Sequence, residues 1–424
     1  MYQILGRIQA PEVGCHNVIS EGLFTLPRRP NESIIAFDMQ ETIPETNSYI
    51  WIDNPASLAR MLARLRAAPA VAVDTESDSL YVYFEKVCLL QFSIPGADYL
   101  VDPLNVDVTP LGELFAAEEQ EKVFHAAEYD ILCLKRDYGF TFSNLFDTMI
   151  AARILGWKHY GLAPILEEHF NVRSDKRMQR YNWGTRPLAA TALDYARLDT
   201  HYLLALRDLQ IGQLEASGRL VEAREAFKRQ ARTEVTARSF DPDDFWRIPG
   251  ARQLDPTDQA LLRELYIFRD GLARELDLPP FKVIPNATLL QLATERPTDR
   301  RALAQIKGLS HRIQKRRADD LLRLITTCKR LPPPVYPRPT NHRPSDDTAS
   351  RYQALRSWRK QVAEARHVDP DIILPNQALM EIARQSPVTV EALANVRAMD
   401  DWQRQTYGTE VLKVLESCPC ASGH

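Results

Sequence analysis

The chain has 424 residues, 45% hydrophobic and 26% charged, with a formal net charge of −3. Hydrophobic cores stop growing at about 250–300 residues, so more than one domain is expected. No stretch approaches the ~20 apolar residues of a membrane span, no secretory leader pattern opens the sequence, and the charge balance leaves polyanion binding to a local patch.

Residues 1–47 carry turn formers such as Pro27, Pro30, Asn31 and Pro44 and read as an irregular extension. Tyr49–Ile52 reads as a strand, followed by Asp53 or Asn54 as a helix start and Leu58, Leu62 and Leu65 on one helical face. Ala70–Asp74, Val87–Ile94 and Tyr99–Asp102 read as successive strands, and Val123–His125 as a short one before a helix from Glu128. Phe146–Thr148 is a strand end leading into a helix over Met149–Leu155, with Asp147 read as its N-cap in preference to a direct catalytic part. Gly161–His169 is a further helix. Pro187–Leu209 is expected as one helix, and the charged Gly212–Gln230 as another that closes the domain. Strands in hairpin succession followed by alternating helices and strands predict an α/β domain with a mixed sheet. Cys88 and Cys133 fall on apolar patterns as reduced core thiols, and Cys418-Pro-Cys420 belongs to a frayed tail.

Three stretches concentrate carboxylates. Asp74 and Glu76 end an apolar strand and, two residues apart, project to the same face. Asp130 follows in Lys122–Asp130, and Tyr195 and Asp199 stand four apart on a helical pattern, one turn from each other. Gathered carboxylates repel one another and resist burial, so a fold that collects them suits a hard divalent cation. Before the last stretch, Lys176–Leu188 mixes cations with aromatic residues, among them Trp183 and Arg186, a composition suited to a flexible polyanion. Trp183 has an equal claim to be loop packing.

Residues 254–331 and 350–417 form a diverged repeat at a constant offset of 90: Phe268-Arg269 matches Trp358-Arg359, Pro285-Asn286 matches Pro375-Asn376, and Ala293 matches Ala383. Each copy reads as several short helices. The first holds 15 Lys/Arg against 10 Asp/Glu, a net +5, whereas the second holds 9 of each. The first also keeps Lys307-Gly-Leu-Ser310, a turn whose amides could approach phosphate, and then Arg312, Arg316 and Arg317 in a basic run. The first copy is expected to grip nucleic acid and the second to be mainly structural. Between them, Pro332–Pro339 reads as a semi-rigid extended spacer.

Taken together, the three acidic stretches resemble the exonuclease motifs of the DEDD superfamily in its Tyr branch, and within it the ribonuclease D family. The likeness covers about residues 48–228, and the repeats resemble HRDC domains. It implies a ribonuclease H-like α/β exonuclease domain with a mixed sheet, followed by two all-α HRDC domains. The expected layout is an extension (1–47), the exonuclease domain (48–228), a linker (229–253), a first HRDC domain (254–331), a Pro-rich linker (332–349), a second HRDC-like domain (350–417) and a tail (418–424). The subclass rests on Tyr195 lying four residues before Asp199, whereas the position five before is Asp194. His125, where many relatives in the superfamily carry Asn, departs from the wider pattern but is common in ribonuclease D; positioning or packing is its expected part.

The resemblance implies two divalent cations, Mg²⁺ or Mn²⁺. Asp74 would bridge them, Glu76 and Asp199 would join it on the ion that holds the attacking water, and Asp130 would serve the second ion, through water. Tyr195 would orient the nucleophile or help deprotonate it. The expected activity is 3′→5′ trimming of structured RNA with a free 3′ end, tRNA precursors in particular, by a monomeric cytoplasmic enzyme. A DNA exonuclease acting in repair shares the chemistry, since the 2′-OH contacts that separate them are not legible in sequence. A non-catalytic RNA-binding protein is the reading from another class, and the presence of all four carboxylates and the tyrosine weighs against it. No Gly-x4-Gly-Lys-Ser/Thr loop is present, which excludes a helicase.

Overall fold

The computed structural model describes residues 48–173, 176–235, 240–328, 332–336 and 345–418. The 1–47 extension, residues 337–344 of the Pro-rich linker and residues 419–424 of the tail lie outside them.

Six strands form one mixed sheet: β1 (Tyr49–Ile52), β2 (Ala70–Ser77), β3 (Val87–Ile94), β4 (Ala97–Val101), β5 (Glu121–Phe124) and β6 (Leu145–Asp147), in the order β1-β4-β3-β2-β5-β6. β2, β3 and β4 pair antiparallel, while β5 runs parallel to β2 and to β6 and β1 runs parallel to β4. Helices α1 (Pro55–Ala67), α2 (Leu111–Ala116) and α3 (Glu128–Tyr138) make the early crossovers. Asn54 caps α1 by accepting from the Ser57 amide, and Pro55 follows where its missing N–H costs nothing. Leu58, Leu62 and Leu65 join Val71, Val73, Leu90 and Phe92 of the sheet in one core.

Helices α4 (Thr148–Leu155), α5 (Leu162–Phe170), α6 (Ala190–His201), α7 (Leu203–Ala216) and α8 (Leu220–Ala231) complete the domain. Two expectations need correction here. The helix predicted over Pro187–Leu209 starts at Ala190 and breaks at Tyr202, immediately after Thr200 and His201 bond to Ser93 and Asp98 on the sheet. The Gly212–Gln230 helix is likewise two segments, because Gly218 takes a left-handed φ of +67° that ends the turn. Beside Glu76 the β2–β3 register shifts: Glu76 faces Leu89 but Ser77 faces Val87, leaving Cys88 as the extra residue of a bulge.

Two helical modules follow, as expected. In the first are α9 (Pro256–Leu276), α10 (Pro280–Val283), α11 (Asn286–Glu295), α12 (Arg300–Ala304), α13 (His311–Arg316) and α14 (Ala318–Thr327). In the second, α15 (Asp346–Arg366), α16 (Pro370–Ile373) and α17 (Asn376–Gln385) reproduce α9 to α11 at an offset of 90, and α18 (Asp401–Glu416) closes it. The repeat has a physical reason. Arg269 donates to the Ile284 carbonyl and Asn286 Oδ1, and Arg359 donates to the Leu374 carbonyl and Asn376 Oδ1. Part of the stretch read as a linker belongs to the first module, since Phe245, Trp246, Ile248 and Ala251 lie in its core. Tyr336 of the Pro-rich stretch packs back on Trp246 and under Arg252.

Both modules are seated on the α/β domain. In the turn after β2, the Tyr83 and Phe84 amides donate to Asp277, the Tyr83 hydroxyl donates to Asp270, and Lys282 lies 3.7 Å from the centre of the Tyr81 ring. The second module meets α4 and α8: Arg366 pairs with the buried Glu222, Arg153 with Asp369 and Asp371, and the His367 carbonyl crowds Gly156. Among the described residues, no helix is long and apolar enough to cross a membrane.

Candidate active site

β2 delivers Asp74 and Glu76 to one face of the sheet, and α6 lies across β2, β3 and β4 on that face with Tyr195 and Asp199. One oxygen from each of Asp74, Glu76 and Asp199 lies within 4.8 Å of the other two. Asp130 sits in the first turn of α3, 6% exposed, and accepts a 2.5 Å hydrogen bond from Thr75 Oγ1. The three acidic stretches therefore meet.

The electrostatics fit a cation site. Burial, then Asp130, Asp199 and Glu76, hold the Asp74 carboxyl well above its usual range. Burial and the same kind of neighbours do this to Glu76. Burial raises Asp130 to about 7 against the Thr75 hydrogen bond, and burial with Asp130 raises Asp199 to about 8. The neighbours acting on Glu76 and Asp199 are carboxylates, not cations. A set of oxygen donors whose charge the protein leaves uncompensated matches the preference of Mg²⁺ and Mn²⁺. Burial and the carboxylates also raise the Tyr195 phenol, which hydrogen-bonds the Gln179 side chain.

Asp147 and His125 stand behind these groups. Asp147 caps α4 through the Met149 and Ile150 amides and also accepts from the amides of Ala126 and Ala127, the turn that opens α3. It thereby fixes where Asp130 enters the site. His125 bonds Thr148 through Nδ1, and burial lowers its basicity.

The basic and aromatic stretch before α6 is a correction. Trp183 is 1% exposed and packs with Cys88, Leu89, Leu188, Ala192 and Ala196, so its ring offers no face to a base. Arg186 forms a two-pronged pair with Asp102, 2.7 Å at each contact, and donates to the carbonyls of Cys88, Trp183 and Thr185. Its donors are spent on holding the loop, which leaves none for phosphate. In the first helical module Lys307, Arg312 and Arg316 are exposed, but Arg317 pairs with Glu275 and Asp320. Sequence reasoning missed Thr75 and Asp102. Thr75, between two carboxylates on a strand, was open to inference as a residue facing the other way; Asp102 carried no local signal.

Residues 49–209 match the family model described as 3′-5′ exonuclease, and residues 258–325 and 349–415 each match the HRDC domain. The chain is 36% identical over 267 residues to exosome complex exonuclease RRP6 of Saccharomyces cerevisiae, covering 59% of this chain and 36% of that protein. It is 27% identical over 378 residues to ribonuclease D of Granulibacter bethesdensis, covering 87% of this chain and 93% of that one. Among solved structures, Escherichia coli RNase D, described as an exoribonuclease involved in structured RNA processing, superposes with a TM-score of 0.61 at 26% identity, over 88% of this chain and all of that one. The chain thus spans about a third of the yeast protein and nearly the whole of the ribonuclease D.

Proposed function

The chain belongs to the ribonuclease D family of 3′-5′ exoribonucleases, and we propose that it trims the 3′ ends of tRNA precursors with two divalent cations, Mg²⁺ or Mn²⁺, held by Asp74, Glu76, Asp130 and Asp199. The observation that carries this reading is the half-buried cluster in which oxygens of Asp74, Glu76 and Asp199 converge within 4.8 Å, with the charge of Asp130 acting on Asp74. When bound, the cations would acidify the attacking water and neutralise charge on the entering and leaving oxygens.

The chain's own residues supply position. Asp74 stands between the other carboxylates and would serve both ions, Glu76 and Asp199 one, and Asp130 the other. Tyr195 is held in its protonated form by burial and by the surrounding carboxylates, so its part is to orient the water by hydrogen bonding. Accepting a proton would require the cations to offset that negative field. The exposed Lys307, Arg312 and Arg316 support the first HRDC domain as the part that grips the RNA backbone. The second, wedged against α4 and α8, supports a structural role. We assign the work to a cytoplasmic monomer.

The test is a gel assay on matched 5′-labelled single-stranded RNA and DNA with Mg²⁺ or Mn²⁺, an EDTA control, and Asp199→Ala beside the wild type. A pre-tRNA with a 3′ trailer forms a further arm. A ladder shortening from the 3′ end of RNA, lost with EDTA and with the variant, is the expected result. Cutting of DNA alone, or a trailer left untouched while unstructured RNA is degraded, would refute the substrate assignment.

A further inference from the structure

The β3 residue Gln91 is fully buried, and neither its Nε2 nor its Oε1 has a hydrogen-bond partner. Among the described residues no other side chain leaves a whole amide buried in this way. A buried amide without partners is destabilising, and Leu or Met would fill the same volume without that penalty. A glutamine at this point therefore asks for a polar task.

The register of the sheet says which group it faces. Gln91 is directly opposite Asp74 on β2 and opposite Leu100 on β4, and opposed residues carry their side chains to the same face with Cβ atoms about 4.5–5.5 Å apart. Several polar groups nearby are already engaged, and the buried Trp183 Nε1–H, which lacks a partner, is a donor and cannot accept from the Gln91 amide N–H. Ser93 bonds Asp98 and Thr200, Asp98 also holds His201 and Arg197, and Asp102 holds Arg186. Glu76 is opposed to Leu89 instead. Of the carboxylates on this face, Asp74 is the one directly opposed to Gln91.

We propose that Gln91 is the positioning residue of Asp74: its amide, unbonded in this structure, would turn Nε2–H onto the directly opposed Asp74 carboxylate when divalent cations bind, and so fix the direction in which that carboxylate presents its oxygens. The assignment rests on the reading of Asp74 as a cation ligand. A neutral donor suits the place, because it steadies an anion that sits beside three more without competing for the metal as another carboxylate would. Gln91 touches neither substrate nor reacting atoms, so its effect passes through Asp74.

The experiment uses the full chain and variants Gln91→Leu, Gln91→Met and Gln91→Glu. Mn²⁺ binding is followed by titration calorimetry, thermal midpoints are taken in EDTA, and kcat and KM are measured on a single-stranded RNA. Gln91→Leu and Gln91→Met should melt at or above the wild-type temperature in EDTA, bind Mn²⁺ about 10–100-fold more weakly, and lose kcat with KM unchanged. Wild-type Mn²⁺ affinity and kcat in a folded Leu or Met variant would overturn the proposal. So would lower melting in EDTA in both, with Mn²⁺ affinity of the folded fraction intact, because that pattern belongs to a packing residue. Asp74→Asn is the control: if it binds Mn²⁺ as the wild type does, the cation reading of the carboxylate cluster has failed, whatever Gln91 does.

Discussion

Thr75 donates its hydroxyl to Asp130 Oδ1 at 2.5 Å, inside the protein. Because Thr75 stands between Asp74 and Glu76 and points the other way, this one bond locks the first acidic stretch to the second. Thr75→Val keeps the shape and strand propensity but removes the donor. Asp130 then loses the hydrogen bond that opposes its upward shift, so Mn²⁺ affinity and kcat should each fall about 10-fold or more. A calorimetric titration beside single-turnover kinetics checks this, and unchanged metal affinity would refute it.

The pH dependence of the metal-free protein follows from the raised carboxyls. Asp130 and Asp199 titrate near 7 and 8 in the fold against an ordinary value of 3.8. Between those limits the folded state holds more protons than the unfolded one, so stability falls as pH rises from about 4 to about 8. In EDTA the wild-type melting temperature should drop across that window relative to Asp199→Asn, whose slope should be shallower. Added Mn²⁺ should restore most at the alkaline end and release protons as it binds.

Exposed and paired arginines of the first HRDC domain should behave differently. Charge reversal at Arg312 and Arg316 should weaken RNA binding and flatten its salt dependence by about 0.7 in the log–log slope for each phosphate left without its cation. Arg317→Glu instead breaks the pairs with Glu275 and Asp320, so its main effect should be on melting temperature. Filter binding at several salt concentrations, with thermal melts alongside, separates the two.

Gly156 should tolerate no side chain. Its φ is +78°, and an added Cβ would lie 2.3 Å from the His367 carbonyl oxygen. Gly156→Ala meets the left-handed penalty of about 1–2 kcal/mol and also pushes the second HRDC domain off α4. Faster proteolysis between residues 332 and 349, with the exonuclease domain still folded, is the expected outcome; a wild-type digestion pattern would count against this seat.

Much of this was legible because the signals were periodic or repeated. Asp74 and Glu76 followed from strand alternation, Tyr195 and Asp199 from helical spacing, and the two HRDC domains from an offset that the Arg269–Asn286 and Arg359–Asn376 bonds now explain. Trp183 and Arg186 misled because a mixture of rings and cations has the same composition whether it faces RNA or Asp102 and a core. The break at Tyr202 was hidden for a similar reason: the bonds from Thr200 to Ser93 and from His201 to Asp98 join residues about a hundred positions apart, and no local pattern announces them.

The turn that carries Tyr83 and Phe84 leaves β2 only a few residues after Glu76 and is finished by Asp270 and Asp277 of another domain. A fragment ending near residue 231 would keep every acidic residue of the site and yet lose these acceptors, freeing two backbone amides and a phenol beside the catalytic strand. Dissecting this protein at its apparent boundary is therefore an operation on the active site itself. Slower cleavage by such a fragment would report a loosened strand end as much as a weakened grip on RNA.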